Sequence, residues 1–353
     1  MKRTVKSISV YDLKPNMFLD KDLIINGITL VGNGVPLTAL MIKKISQFYT
    51  YDGISIYIDE KERSVPSSET SVVKSLTRTE DLLNYFVDKI DIFLSNIDKN
   101  SKLDLNDIRT MSKSLLDDSS DYSSILQSIT KSRTIDEYLV RHCVNVAFLS
   151  SMLGRWLDLS KNDLILLTYA AFLHDIGKTM VNPKILNKPT QLTKLEFEEI
   201  KKHSIYSYNL VRTIPYLDKS VGLGVLMHHE RLDGSGYPLH LKEDKINTFA
   251  KIIGITDTFD AMTSDKVYRK KQVPLKVLEI MQRECITVLD YDYLSIFIKQ
   301  MLNYYIGQSV KLNNGSIGQI VKIDINNIYS PLISIGQSFV DLNTQNDLFI
   351  IDF

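Results

Sequence analysis

The run His228-His229-Glu230-Arg231-Leu232-Asp233-Gly234-Ser235-Gly236-Tyr237-Pro238 decides the reading of this chain, together with His174-Asp175-Ile176-Gly177-Lys178 upstream. The 353 residues contain only six histidines, and five of them (His142, His174, His203, His228, His229) crowd into a stretch of about ninety. Imidazole is the commonest metal-binding side chain at neutral pH. Five spaced histidines with aspartates beside them point to a multi-metal site, and such a site points to metal-assisted hydrolysis.

The spacing carries more than the number. His142, His174, His203 and His228 follow one another at intervals of 25 to 32 residues, about one helix plus its connection and return. A helical bundle with that spacing aims one ligand per helix at a common interior point. Asp257 continues the series. His174-Asp175 closes the apolar run Leu164 to Leu173, which reads as a buried helix ending at the floor of a cleft. Adjacent helical residues point about 100° apart. The pair therefore serves one cluster only if the cluster holds more than one metal or lies beyond the helix end. A carboxylate there is placed to bridge two cations. Gly177 frees the backbone for a close turn, and Lys178 sets a positive charge where a substrate phosphate would sit. Asp257 and Asp260 share a helix face, so one can bind metal while the other orients water or a ligating histidine. Lys266 and Arg269 also share a face, and paired cations facing a cleft suit an anionic substrate.

Composition is that of an ordinary globular protein, 44% hydrophobic and 24% charged, with net charge zero. That balance gives no support for bulk affinity to a nucleic-acid polymer or a membrane surface. The two cysteines, Cys143 and Cys285, form no CxxC pair, which favours a reducing cytoplasm and makes thiolate ligation improbable. No signal peptide and no apolar run of membrane-spanning length is visible, so cytoplasmic residence without membrane insertion is expected.

Residues 1–60 read as a small α+β domain with a regulatory or docking role. Val5-Ile8-Val10, Leu23-Ile25 and Ile54-Ile58 are strand-like, Asn26-Gly27 is a turn, and Thr38 to Phe48 is a helix. Residues 61–72 are polar and turn-rich, a linker. From Val73 to about Tyr304 the pattern is helical, with helix starts at Thr79-Glu80-Asp81 and a capping box at Thr193–Glu196. Beyond Gly307 alternation returns: Ser309 to Leu312, Gly318 to Ile323, Leu332 to Ile335 and Leu348 to Ile351 read as strands of a small β appendage. The expected fold is mainly α, a helical bundle flanked by two small domains. The divisions are 73–129 as helical connector, 130–303 as the metal-binding bundle and 304–353 as the β extension.

The order H…HD…H…HH…D resembles the HD superfamily of metal-dependent phosphohydrolases. The His228–Pro238 run resembles, more narrowly, the HD-GYP family of cyclic di-GMP phosphodiesterases. Further matching segments are Tyr138-(x3)-His142-(x2)-Asn145-Val146, Ile185-Leu186-Asn187-Lys188-Pro189, Leu192-Thr193-(x2)-Glu196-(x6)-His203 and Asp257-(x2)-Asp260-Ala261-Met262-Thr263-Ser264-Asp265. Val10 to Met17 and Tyr305 to Leu312 resemble segments that accompany the family.

The resemblance implies His142, His174, Asp175, His203, His228, His229 and Asp257 as ligands of two divalent metals, iron or manganese, with Asp175 bridging. It implies catalytic or supporting roles for Lys178, Asp175 and Asp260. Lys266, Arg269, Tyr237 and Arg231 would meet substrate. Cyclic di-GMP would be hydrolysed to pGpG and onward to GMP. A GGDEF-type cyclase, another signalling protein or a second copy of the chain would be its partner. Two positions depart from the family pattern: Lys266 stands where Arg is usual, and Val267 where Pro is usual. Some members carry a Glu supporting a third metal where Tyr138 stands here, with Asp136 and Glu137 out of phase, so two metals are expected. Two alternatives stand beside this reading. One is a phosphodiesterase for hybrid cyclic GMP-AMP or another nucleotide. The other is a non-catalytic scaffold responsive to cyclic di-GMP. His240 fits no part of the pattern and reads as a surface residue.

Overall fold

A helix that is apolar on every side belongs in the middle of a protein, and two helices of this chain are of that kind. The computed structural model describes residues 83–95, 106–117, 138–264, 271–345 and 347–353, with residue 126 and positions 4–8, 13–14, 17–19, 21, 23–25, 28–31, 37, 41–42, 45 and 54–58. The helices are α1 (83–95), α2 (Asn106–Asp117), α3 (Tyr138–Trp156), α4 (Lys161–Leu173), α5 (Pro183–Leu186), α6 (Lys194–Lys201), α7 (His203–Val211), α8 (Lys219–Met227), α9 (Thr248–Thr263), α10 (Pro274–Glu284) and α11 (Tyr291–Tyr305). Every residue of α4 from Leu167 to Leu173 is buried. In α9 burial runs almost unbroken from Phe249 to Thr263, Asp257 and Asp260 included. These two helices form the axis of the bundle, and α3 and α8 pack against both.

Helix starts follow local chemistry. Ser160 Oγ accepts from the Asp163 amide at 3.1 Å and so caps α4. The expected capping box is present on α6: Glu196 N donates to Thr193 Oγ1 at 3.3 Å and Thr193 N to Glu196 Oε2 at 2.7 Å. The predicted start at Thr79-Glu80-Asp81 lies outside the described residues.

The chain separates into two units, Met1–Ser71 and Val72–Phe353. In the first, β1 (Thr4–Ile8) and β2 (Phe18–Leu19) both pair antiparallel with β5 (Ile54–Ile58), and β3 (Leu23–Ile25) pairs with β4 (Ile28–Val31). Leu13, Leu19, Leu23, Val31, Leu37 and Ile45 are its buried core. Of the helix predicted over 38–48, Met41, Ile42 and Ile45 are described and helical. The turn at Asn26-Gly27 and the 61–72 segment lie outside the described residues.

In the second unit one continuous core runs from Leu83 in α1 through the bundle to Ile350 in the terminal sheet. That sheet is antiparallel, in the order β10 (Ile350–Asp352), β6 (Ser309–Leu312), β7 (Ile317–Asp324), β8 (Asn327–Ile335), β9 (Ser338–Asp341). Sequence patterning placed the third strand at Leu332, after Pro331. The strand instead starts at Asn327 and crosses the proline. Pro331 has no N–H to give, and the β7–β8 register shifts between Ile320, Lys322 and Asp324. Strand β9 went unread from sequence. Among the described residues no helix is long and apolar enough to cross a membrane.

Candidate metal centre

Five chain segments deliver the candidate ligands. Helix α3 carries His142, buried among apolar neighbours one turn into the helix. Helix α4 stops at Leu173, so His174 caps it and Asp175 leaves helical geometry at φ −107°, ψ 3°. Helix α8 stops at Met227 and hands over His228 in the same way. His203 opens α7, and Asp257 projects from the middle of α9. Placing the His-Asp and His-His pairs at helix ends solves the 100° problem, because the second residue of each pair lies beyond the helix.

All seven predicted ligands converge. Asp175, His203, His228 and His229 form one group, and His142, His174 and Asp257 a second; within each, the ligand atoms lie within 4.8 Å of one another. Asp175 joins the groups. Its Oδ2 is 3.3 Å from His142 Nε2 and 3.4 Å from His174 Nε2. Its Oδ1 is 3.1 Å from His203 Nε2 and 3.9 Å from His228 Nε2. Asp257 reaches the same way, with Oδ1 3.1 Å from His142 Nε2 and Oδ2 3.7 Å from His229 Nδ1.

The residues fit metal cations on three observations. First, the Nδ1 atoms are occupied elsewhere. Those of His174, His203 and His228 meet the carbonyls of Ala171, Ile200 and Val225 at 2.7, 2.7 and 2.6 Å, and that of His142 meets Asp260 Oδ2 at 2.7 Å. The hydrogen therefore sits on Nδ1 and the lone pair on Nε2 faces inward. Second, those lone pairs face each other, His142 to His174 at 3.3 Å and His203 to His228 at 3.4 Å. Nitrogen lone pairs held so close repel unless positive charge lies between them. Third, Asp175 Oδ1 is buried and accepts no hydrogen bond. A buried charged acceptor without a donor is costly unless a cation is its partner.

Electrostatics agree. Burial pushes the imidazoles of His174, His228 and His229 below their usual range, which keeps them neutral and able to ligate. His142 is the exception: burial acts the same way, but the carboxylates of Asp175, Asp257 and Asp260 win and hold it well above the usual range, so a cation at its Nε2 would displace a proton. For Asp175 burial favours the neutral acid. Lys178 and the surrounding histidines outweigh it, and the carboxyl is held well below its usual range. Lys178 donates directly to Asp175 Oδ2.

Residues 120–292 match the HD domain family. A cyclic di-GMP phosphodiesterase of Pseudomonas aeruginosa is 31% identical over 61% of this chain and 51% of its own. A cyclic di-GMP phosphodiesterase of Borreliella burgdorferi is 33% identical over 60% and 56% respectively. A 3'3'-cGAMP-specific phosphodiesterase of Vibrio cholerae is 33% identical over 51% and 38%. The solved HDG"Y"P protein of Bdellovibrio bacteriovorus superimposes with a TM-score of 0.54 at 16% identity, over 84% of this chain and 99% of that one, a likeness of fold. The chain is thus similar to the HD family over residues 120–292, and the His228–Pro238 run lies inside that match. It spans about half the length of the curated relatives first named.

The remaining predicted residues divide. Tyr237 lies at the centre's edge, its ring 4.7 Å from that of His229 at 31°. Asp260 stands behind His142, held also by Asn145 Nδ2 at 2.8 Å, so it aims the imidazole from the far side. Arg231 binds its own loop. Its Nη1 donates to the Glu230 carbonyl at 2.9 Å and the His228 carbonyl at 3.4 Å. The structure thus gives Arg231 the role of a brace of the loop. Lys266 and Arg269 lie outside the described residues, as do Val267, Asp136 and Glu137. His240 is exposed, as expected.

Sequence reading passed over Glu230. Its carboxylate is buried and accepts from the Leu239 amide at 2.6 Å and the Leu241 amide at 2.9 Å, closing the loop after His229 on itself. The available signal was an acid directly after two histidines in a turn rich in glycine, whose free amides need an acceptor. Gly236 is compelled by the same closure, since a Cβ there would lie 2.3 Å from Arg231 N. Replacing Glu230 with alanine is expected to cost about 2 kcal/mol by stranding amides, read as a lower urea midpoint. An unchanged midpoint would show that water replaces the carboxylate.

Proposed function

We propose that this protein is a cyclic di-GMP phosphodiesterase that hydrolyses the 3'-5' phosphodiester to pGpG and, more slowly, onward to GMP. The observation that carries the reading is the meeting of four imidazole Nε2 atoms on the two oxygens of one buried carboxylate, Asp175. HD domains are metal-dependent phosphohydrolases, and relatives at 31–33% identity are named for cyclic dinucleotides. His142, His174 and Asp257 would hold one cation, and His203, His228 and His229 the other, with Asp175 shared. Mixed imidazole and carboxylate ligation without thiolate suits iron or manganese. When bound, the cations supply Lewis acidity that makes water nucleophilic near neutral pH and offsets charge on phosphorus.

The chain's own residues do the rest. Asp260 and the helix-end carbonyls fix the histidine tautomers. Lys178, held by Asp175, presents an ammonium to the negative charge that grows on the phosphoryl oxygens. The water oxygen bonds to phosphorus, the P–O bond to the ribose 3'-oxygen breaks, and that oxygen leaves as a hydroxyl after taking a proton. Tyr237 walls the edge, and Lys266 and Arg269 are the candidate contacts for the phosphates or guanines.

The Met1–Ser71 unit is assigned a regulatory or docking role, with a cyclase, another signalling protein or a second copy as partner. Cytoplasmic residence is supported by the free thiols Cys143 and Cys285. Hydrolysis of hybrid cyclic GMP-AMP is the second reading, favoured by the relative of that specificity at equal identity. Anaerobic purification, metal analysis and chromatography of products from both dinucleotides test the choice. About two iron or manganese per chain with metal-dependent pGpG supports the first reading. Faster cleavage of the hybrid supports the second, and bound metal without cleavage of either refutes both in favour of a scaffold.

A further inference from the structure

The lysines that precede His203 diverge. Lys202 points outward, half exposed, and pairs with Glu199 at 2.6 Å. Lys201, in the last turn of α6, folds back toward the centre. Its Nζ lies 4.8 Å from the centroid of the Phe197 ring and 5.5 Å from that of Tyr237. Tyr237 is the residue that stacks on His229, and its ring is also 6.4 Å from that of His203. A positive charge is thus suspended one aromatic ring away from two candidate ligands. Its one carboxylate partner among the described residues, Glu198 at 2.7 Å, is largely exposed, so that pair is weak and exchangeable. The two rings hold the ammonium by cation–π attraction without neutralising it.

A cyclic dinucleotide carries two phosphates, and only one can occupy the hydrolytic centre at a time. The scissile phosphate has Lys178 and the centre's cations. The other phosphate needs a cation of its own; Lys266 and Arg269 lie outside the described residues, and Lys201 is a candidate within them. We propose that Lys201 binds the non-scissile phosphate of the substrate, exchanging Glu198 for it, and so selects dinucleotides with two phosphates over those with one. This rests on the cyclic-dinucleotide reading above. Tyr237 then serves as a rail that sets the lysine's distance from the centre.

Affinities for cyclic di-GMP and for GpG, which has a single phosphodiester, separate this role from a structural one. Calorimetry on the full chain with calcium exchanged for the native metal reads binding without cleavage. Lys201→Gln is expected to weaken cyclic di-GMP about tenfold and GpG less than twofold. Lys201→Arg should restore most of the loss. Glu198→Gln, which removes the competing carboxylate, should tighten cyclic di-GMP about two- to threefold, an effect of opposite sign that a lysine serving only the helix surface would not give. Equal weakening of both ligands overturns the proposal, placing the lysine on the scissile phosphate or in support of Tyr237. No weakening of either also overturns it. If the wild-type protein binds neither ligand, the cyclic-dinucleotide reading itself has failed, an outcome distinct from the other two.

Discussion

Asp175→Ala protein is expected to lose both metals and at least about a thousandfold in turnover, while remaining folded. The reason is geometric. Asp175 meets two imidazoles of one group at 3.3 and 3.4 Å and His203 of the other at 3.1 Å, whereas Asp257 reaches one imidazole in each group. Removing it leaves each group with imidazoles and at most one carboxylate, too little negative charge to hold two divalent cations side by side. Metal analysis and a turnover assay on the same preparation check the result. Retention of half the metal with measurable turnover would show that the two sites are independent and the carboxylate is no bridge.

The second large effect is expected at Gly177, where alanine should destabilise the protein by about 3 kcal/mol and empty the centre with it. A Cβ at this position would lie 2.3 Å from the His203 carbonyl oxygen and 2.4 Å from the Ser207 amide nitrogen. Both are backbone atoms, so neither can rotate away. The Gly177 amide also donates to Ser207 Oγ at 2.8 Å, which pins the turn after Asp175 onto α7. Opening that junction separates Asp175 from His203. Urea unfolding of metal-free protein measures the stability cost. A midpoint close to wild type with metal content intact would mean that the turn slides without loss.

Much of this was legible beforehand, for reasons that can be named. The ligands could be read because each is a rare residue type at an interval set by helix length, and chemistry leaves few uses for buried histidine beside buried aspartate. The capping box at Thr193 was readable because its two partners are three residues apart. Orientation was not readable. Arg231 stands inside the most diagnostic run of the chain, yet its guanidinium satisfies carbonyls. Which carbonyls it meets depends on how the loop closes in space. The clamp by Glu230 reaches amides nine and eleven residues ahead, beyond any local rule. In the β extension, the patterning from Leu332 to Ile335 marks only the end of a strand that runs from Asn327 across Pro331. The sheet tolerates it by shifting register, a choice made by the neighbouring strand.

One detail of the centre bears on how its variants should be interpreted. His174, His203 and His228 each hand their Nδ1 hydrogen to a carbonyl three residues earlier, at the close of α4, α6 and α8. Carbonyls in the last turn of a helix have no amide of their own to accept from. Each imidazole is thus a stitch that seals a fraying end as well as a ligand. The polypeptide has an interest in these side chains before any ion arrives, and the ion finds them already aimed. Deleting one of these histidines unpicks a helix terminus along with a coordination bond, whereas deleting Asp175 removes coordination and the Lys178 contact but leaves these three ends sealed.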